Sequence, residues 1–189
     1  MVDVRAPRKA PPVPEQDGPY RMGFTWGRAL AIGVVVTMII FWIWIFSGAP
    51  KRDNPDYLQD RTYAAALEDR CQGLRDQLAK LPNAADMTSQ AERADVLDDA
   101  NVLVGQFIDE VAAGAPKGGG AAVSMKGWLA DWRTYLSDRE DYAQRLRTED
   151  NAQLLLSRST IGTDSVDKAI QIFTQVNEIP ACDTPGDVG

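Results

Sequence analysis

Histidine is absent from all 189 residues. Without it there is no Ser-His-Asp or Cys-His nucleophilic site, no histidine-based metal site and no histidine pH switch. Cysteine occurs only twice, at Cys71 and Cys182, in neither a CxxC nor a zinc-ligand spacing. The one dense glycine run, within residues 114–120, lacks the spacing of a phosphate-binding loop and follows a helical pattern rather than a strand. An enzyme built from this chain would depend on carboxylates, Tyr, Lys or Arg. Asp138, Glu140 and Asp141 are closely spaced, the pattern of a solvated helix face rather than of two carboxylates with separated pKa values. Asp95, Asp98 and Asp99 lack a calcium-loop spacing. The residues therefore nominate no catalytic group, no cofactor and no metal ligand, and the reading is of a non-enzyme.

Positive charge is scarce over most of the chain. Residues 53–189 carry 13 basic against 24 acidic side chains, a net of 13 − 24 = −11. Residues 1–28 carry five basic against three acidic, a net of 5 − 3 = +2. A region that acidic excludes nucleic acid as a bulk electrostatic partner and favours cations or basic proteins.

Long apolar runs are also rare, and the one present is decisive for topology. Ala29 to Phe46 reads ALAIGVVVTMIIFWIWIF, eighteen residues without a charge. At about 1.5 Å per residue this just spans a hydrocarbon core of about 30 Å. Phe24 and Trp26 precede the run and Trp42 and Trp44 close it, as interfacial aromatic belts do. The expectation is a signal-anchor helix over residues 26–48. The run exceeds a usual signal-peptide core, and Pro50 follows the only small-residue stretch, Ser47-Gly48-Ala49, making a poor cleavage site. Arg5, Arg8 and the amino terminus tip the basic balance toward a cytoplasmic N-terminus in the plasma membrane. Within the run Ala29 and Gly33 form a small-xxx-small pair, a candidate transmembrane packing face.

Residues 1–25 include five prolines, Pro7, Pro11, Pro12, Pro14 and Pro19, and read as a disordered Pro-rich cytoplasmic tail. Residues 49–189 read as one extracytoplasmic, helical domain. Its first helix is expected from Asn54-Pro55, an N-cap followed by proline at the first position, with Leu67, Cys71, Leu74, Leu78 and Leu81 forming a heptad seam. A second is expected from Ser89-Gln90-Ala91-Glu92, a capping box, with Leu97, Ala100, Val104, Phe107 and Val111 recurring every three or four residues. After the glycine-rich loop, a third is expected from about Ser124 to Thr148. Trp128, Trp132, Tyr135 and Tyr142 share one of its faces, with charges such as Asp131, Asp138 and Arg139 nearby. Leu154-Leu155-Leu156 reads as a short buried stretch. A shorter fourth helix is expected from near Asp164 or Ser165 to before Pro180, and no regular structure beyond it. The fold class is all-α: one transmembrane helix plus an antiparallel bundle of three to four helices.

The two cysteines fit a bridge. Cys71 sits on a core seam and Cys182 in a Pro/Gly tail that has no helix of its own. A disulfide between them would pin that tail in an oxidising compartment, which agrees with an extracytoplasmic domain.

The run Asp131-Trp132-Arg133-Thr134-Tyr135-Leu136-Ser137-Asp138-Arg139, then Tyr142-Ala143, Asn177, Ile179-Pro180-Ala181-Cys182 and Pro185-Gly186-Asp187-Val188, resembles a group of uncharacterised single-pass membrane proteins of actinobacteria. The likeness covers roughly residues 30–189 and implies a bacterial cell-envelope location. It carries no activity or site residue.

The function expected is that of an interaction protein, an accessory subunit or scaffold with a protein partner in the membrane or envelope. The alternative is a ligand-binding or sensor module whose candidate binding face is Trp128, Trp132, Tyr135 and Arg139.

Overall fold

The computed structural model describes residues 25–48, 52–83, 86–160 and 162–185. The Pro-rich tail, apart from Thr25, and the Gly-Asp-Val end of the chain lie outside those residues. The chain divides into two compact units, Met1–Phe46 and Ser47–Gly189. Among the described residues regular structure is helical: α1 (Trp26–Phe46), α2 (Arg61–Leu78), α3 (Gln90–Gly114), α4 (Gly119–Leu146), α5 (Val166–Asn177) and a 3-10 turn (Pro180–Cys182).

α1 is apolar on all sides, and none of its residues is buried. By length and composition it is able to cross a membrane, a property shared by signal sequences near an N-terminus.

In the second unit α3 packs against α4, α4 against α5, and α2 against α3 and the 3-10 turn. α2 starts later than Asn54-Pro55 suggests. Asp60 is the N-cap, its carboxylate accepting from the Thr62 and Tyr63 amides at 3.0 Å each. Asn54 instead stabilises a turn, its Oδ1 accepting from the Asp56 amide at 2.9 Å. An Asn side chain closes such a turn as readily as it caps a helix. α3 does begin at the expected box: Ser89 Oγ accepts from the Glu92 amide at 3.2 Å. The return half falls one residue earlier, on the Thr88 amide and hydroxyl at 3.0 and 2.7 Å.

α4 also differs. It begins at Gly119, five residues before Ser124. The loop is thus shorter than the glycine run, because Ala121 packs against the core and tertiary contact outweighs the weak helix propensity of glycine. Gly119 takes a φ of +72°, a left-handed angle that costs glycine little. The triple leucine does not form a buried stretch. Leu154 and Leu156 are half-buried while Leu155 is 65% exposed, the alternation of an extended segment. Beyond α5, Pro180–Cys182 forms a turn where none was expected.

The main core joins Leu67, Cys71 and Leu74 of α2, Val104, Phe107, Ile108 and Val111 of α3, Trp128 and Trp132 of α4, and Ile170 and Phe173 of α5. A smaller second cluster holds Ala94, Leu97, Tyr142, Ala143 and Leu146.

Candidate functional site

The stripe on α4 lies inside. Trp128, Trp132, Tyr135 and Arg139 are 2%, 1%, 2% and 0% exposed. Trp128 stacks on Phe173 with centroids 5.2 Å apart, and Phe107 meets Trp128 and Trp132 edge-on at 6.4 and 5.4 Å. Spacings of four and three place these rings on the one face of α4 that α3 and α5 cover. Such edge-to-face and offset contacts are the favoured aromatic geometries. Most of the stripe is covered by its neighbours, although Trp128 and Tyr135 each also line the wall of a partly open pocket.

Arg139 extends the stripe as a buried cation. Its Nε donates to Asn101 Oδ1 at 2.8 Å, its Nη1 to Tyr135 Oη at 3.5 Å, and its guanidinium lies 5.6 Å from the Tyr135 ring centre. Tyr135 Oη in turn donates to the Pro185 carbonyl at 2.8 Å. This run of contacts fastens the backbone at Pro185 to α4. The planar, weakly hydrated guanidinium tolerates such a place better than an ammonium does.

Two carboxylates of α4 are also buried, one of them, Asp138, against the expectation of a solvated helix face. Asp138 accepts from the Ser157 amide and hydroxyl, both at 2.7 Å. Asp131, seven residues earlier and so on the same side of α4, accepts from Ser159 Oγ at 3.1 Å. Each captures the irregular segment between α4 and α5. Their heptad spacing from one another, 131 to 138, was the available signal, and the surrounding charges masked it.

Asp131 is only 2% exposed, and its second oxygen, Oδ1, completes no hydrogen bond. Burial pushes its pKa above the ordinary carboxylate value, an effect that the Ser159 hydroxyl and the Thr160 backbone N–H partly offset. It lines a pocket of about 150 Å³ together with Ser124, Trp128, Ser159, Phe173 and Asp56. The indole Nε1 of Trp128 likewise lacks a hydrogen-bond partner.

Cys71 and Cys182 stand at disulfide distance, with their Cα atoms 4.9 Å apart across a sequence separation of 111. Neighbouring side chains of α2 clasp the same segment. The Glu68 carboxylate accepts from the Ala181 amide at 3.0 and 3.1 Å, and Arg75 Nε donates to the Ala181 carbonyl at 2.6 Å. The backbone N–H and C=O of one residue are thus both held by charged partners, the strong form of hydrogen bond.

In α1, Gly33 has nothing within 4 Å of where a Cβ would stand, and Ala29 is half-buried. The Asp95–Asp98 pair is spanned by Arg147, whose Nη2 reaches them at 2.5 and 2.8 Å. Among the described residues no group of three or more acidic or cysteine side chains is placed to hold a metal ion. No family model, curated protein or solved structure matches this chain.

Proposed function

We propose that the chain is a non-catalytic, membrane-anchored interaction protein: an accessory subunit or scaffold of a bacterial cell-envelope complex. α1 is its single span of the plasma membrane, with the N-terminus cytoplasmic. The second unit stands outside the cytoplasm, its α2–α5 taken as an antiparallel bundle of three long helices and one short.

The observation that carries this reading is how the apolar surface is sorted. Large apolar side chains such as Leu30, Ile40 and Ile43 are exposed all round α1. In the second unit Trp128, Trp132 and Tyr135 are consumed by the core. What remains for contact is a lipid-compatible helix and an acidic exterior. Interfaces made by single spans use close helix packing, for which Ala29 and Gly33 offer the smallest side chains. Basic partners suit a unit with a surplus of carboxylates. The Cys71–Cys182 pair supports an oxidising compartment for the second unit.

The test is purification of the tagged, natively expressed full chain in mild detergent, with mass spectrometry of what elutes with it. A stoichiometric membrane or envelope protein, lost when α1 is replaced by a polyleucine span or when the acidic surface is neutralised, is the expected result. A monodisperse monomer with no partner overturns the reading.

A further inference from the structure

Charge is not spread evenly along the second unit. Residues 111–130, which end α3, make the turn and begin α4, are the longest stretch without Asp or Glu in residues 53–189, and they include Lys117 and Lys126. The far end of the α3–α4 pair is the reverse. Residues 86–99 carry one basic against five acidic side chains, 1 − 5 = −4, and residues 140–150 two against four, 2 − 4 = −2. Those two segments lie together, with Arg147 on Asp95 and Asp98. α4, at 28 residues, holds the two ends about 40 Å apart.

The basic end is open to its surroundings. Lys117 and Lys126 are exposed, and neither forms an ion pair with a described residue. Val123 lies three residues before Lys126, on the same face of α4. It is 73% exposed, the most of any large apolar side chain described in the second unit. The same end carries the start of the unit, since Ser124 Oγ donates to the Pro55 carbonyl at 3.0 Å. Around Pro55 the charges cancel, with Asp53, Asp56 and Asp60 against Lys51, Arg52 and Arg61.

We propose that the α3–α4 turn docks on the anionic phospholipid surface of the membrane that α1 spans, with Lys117 and Lys126 on lipid phosphates and Val123 toward the acyl boundary. This rests on the reading of α1 as a membrane anchor. An apolar side chain flanked by lysines has the composition of an interfacial contact. Each lysine near anionic head groups favours the docked state by roughly fivefold. Pro55 follows Phe46, the last residue of α1, by nine residues, a tether of at most about 30 Å, so the end that carries Pro55 stays within reach of lipid. The carboxylates at the other end are repelled by the same surface. Docking therefore turns the acidic end away from the membrane, where it is free to meet a basic partner.

The experiment reconstitutes the full chain in vesicles of phosphatidylglycerol and phosphatidylcholine in equal parts, and of phosphatidylcholine alone, each with a little nitroxide-labelled lipid as quencher. A fluorescent bimane is attached at Gly120→Cys, where an added side chain meets open space. A second preparation carries it at Asp150→Cys, beyond the far end of α4. Cys71 and Cys182 are buried and paired, which leaves the dye to the introduced thiol. Quenching at Gly120→Cys is expected to be strong with phosphatidylglycerol, weak without it, and reduced at about 1 M salt. The label at Asp150→Cys should stay unquenched in both. Lys117→Gln combined with Lys126→Gln should lower the ratio of docked to undocked chains by roughly 20- to 30-fold. The docking is overturned if quenching at Gly120→Cys ignores phosphatidylglycerol or the loss of both lysines, or if Asp150→Cys is quenched as strongly. Alkaline carbonate extraction separates the two readings. A chain released from the vesicles sinks the anchor and the docking together, whereas a retained chain with an unquenched label sinks the docking alone.

Discussion

Two regions of the folded unit are held by different means. Around the start of α2 and the end of the chain, irregular backbone is fixed by a disulfide pair, by the Glu68 and Arg75 clasp on Ala181, and by Asn177. Asn177 is fully buried, accepts from the Leu58 amide at 2.7 Å and donates to the Asp56 carbonyl at 2.9 Å. Around the end of α4, by contrast, Ala94 and Leu97 meet Tyr142, Ala143 and Leu146 across two regular helices. Helices satisfy their own amides and need only matching apolar stripes. A tail that is not helical must have its backbone groups satisfied from elsewhere, and each satisfier is a specific polar side chain.

The largest expected effect breaks the first region. Replacing both Cys71 and Cys182 by alanine should lower stability by about 4–5 kcal/mol in the chain-entropy picture. For a unit of this size that is a fall in Tm of roughly 10–20 °C. Thermal unfolding of the double variant beside the native chain, with and without reductant, measures it. Reductant should leave the double variant unmoved. An unchanged native Tm under full reduction would show that the polar clasp alone fixes the tail.

Core truncations set the two regions side by side. Trp132→Ala, in the main core, is expected to cost about 3–5 kcal/mol. Leu97→Ala, in the five-residue second cluster, belongs at the low end of the roughly 2–5 kcal/mol seen for such changes. The half-buried Ala152 and Leu154 beside it are able to shift into the space. Denaturant midpoints at constant m-value check the order, and a reversal would place the stability of the unit in the second cluster.

Asn177→Ala sharpens the comparison at a single residue. Its removal leaves the buried Leu58 amide unpaired, at a cost of about 1–3 kcal/mol. Amide exchange at Leu58 should accelerate well beyond what the change in global stability accounts for. If it does not, the loop is fixed by other contacts, such as Arg61 Nη2 on the Asn177 carbonyl at 2.8 Å.

The same contrast explains what could be read before the structure. Stripes such as Val104-Phe107-Val111 and Trp128-Trp132-Tyr135 announce their buried faces by period alone, and the Cys71 seam position pointed to a staple. The all-helical character and the apolar α1 were legible for that reason. Asp131, Asp138 and Asn177 were not, because burial of a polar residue depends on which distant backbone groups arrive beside it. Their partners lie in the irregular segments around residues 54–60 and 157–160, which have no period to read. Asn54 illustrates the same limit: its side chain suits a helix cap or a turn, and only the competing cap at Asp60 decides between them.

The smallest expected effect lies on the surface of the second region. Arg147 reaches Asp95 and Asp98 from the turn that ends α4, and both carboxylates hold its pKa above the ordinary value. The group is solvent-exposed, so water and side-chain entropy offset most of the attraction. Arg147→Gln should therefore move Tm by an amount close to measurement error at physiological salt. At low salt the difference from the native chain should widen, because screening between exposed charges is weaker there. A large loss that persists in high salt would mean that the arginine acts through packing of its aliphatic stem. In that case the second region too would rest on a specific long side chain, and the division between clasped tail and self-sufficient helices would have to be redrawn.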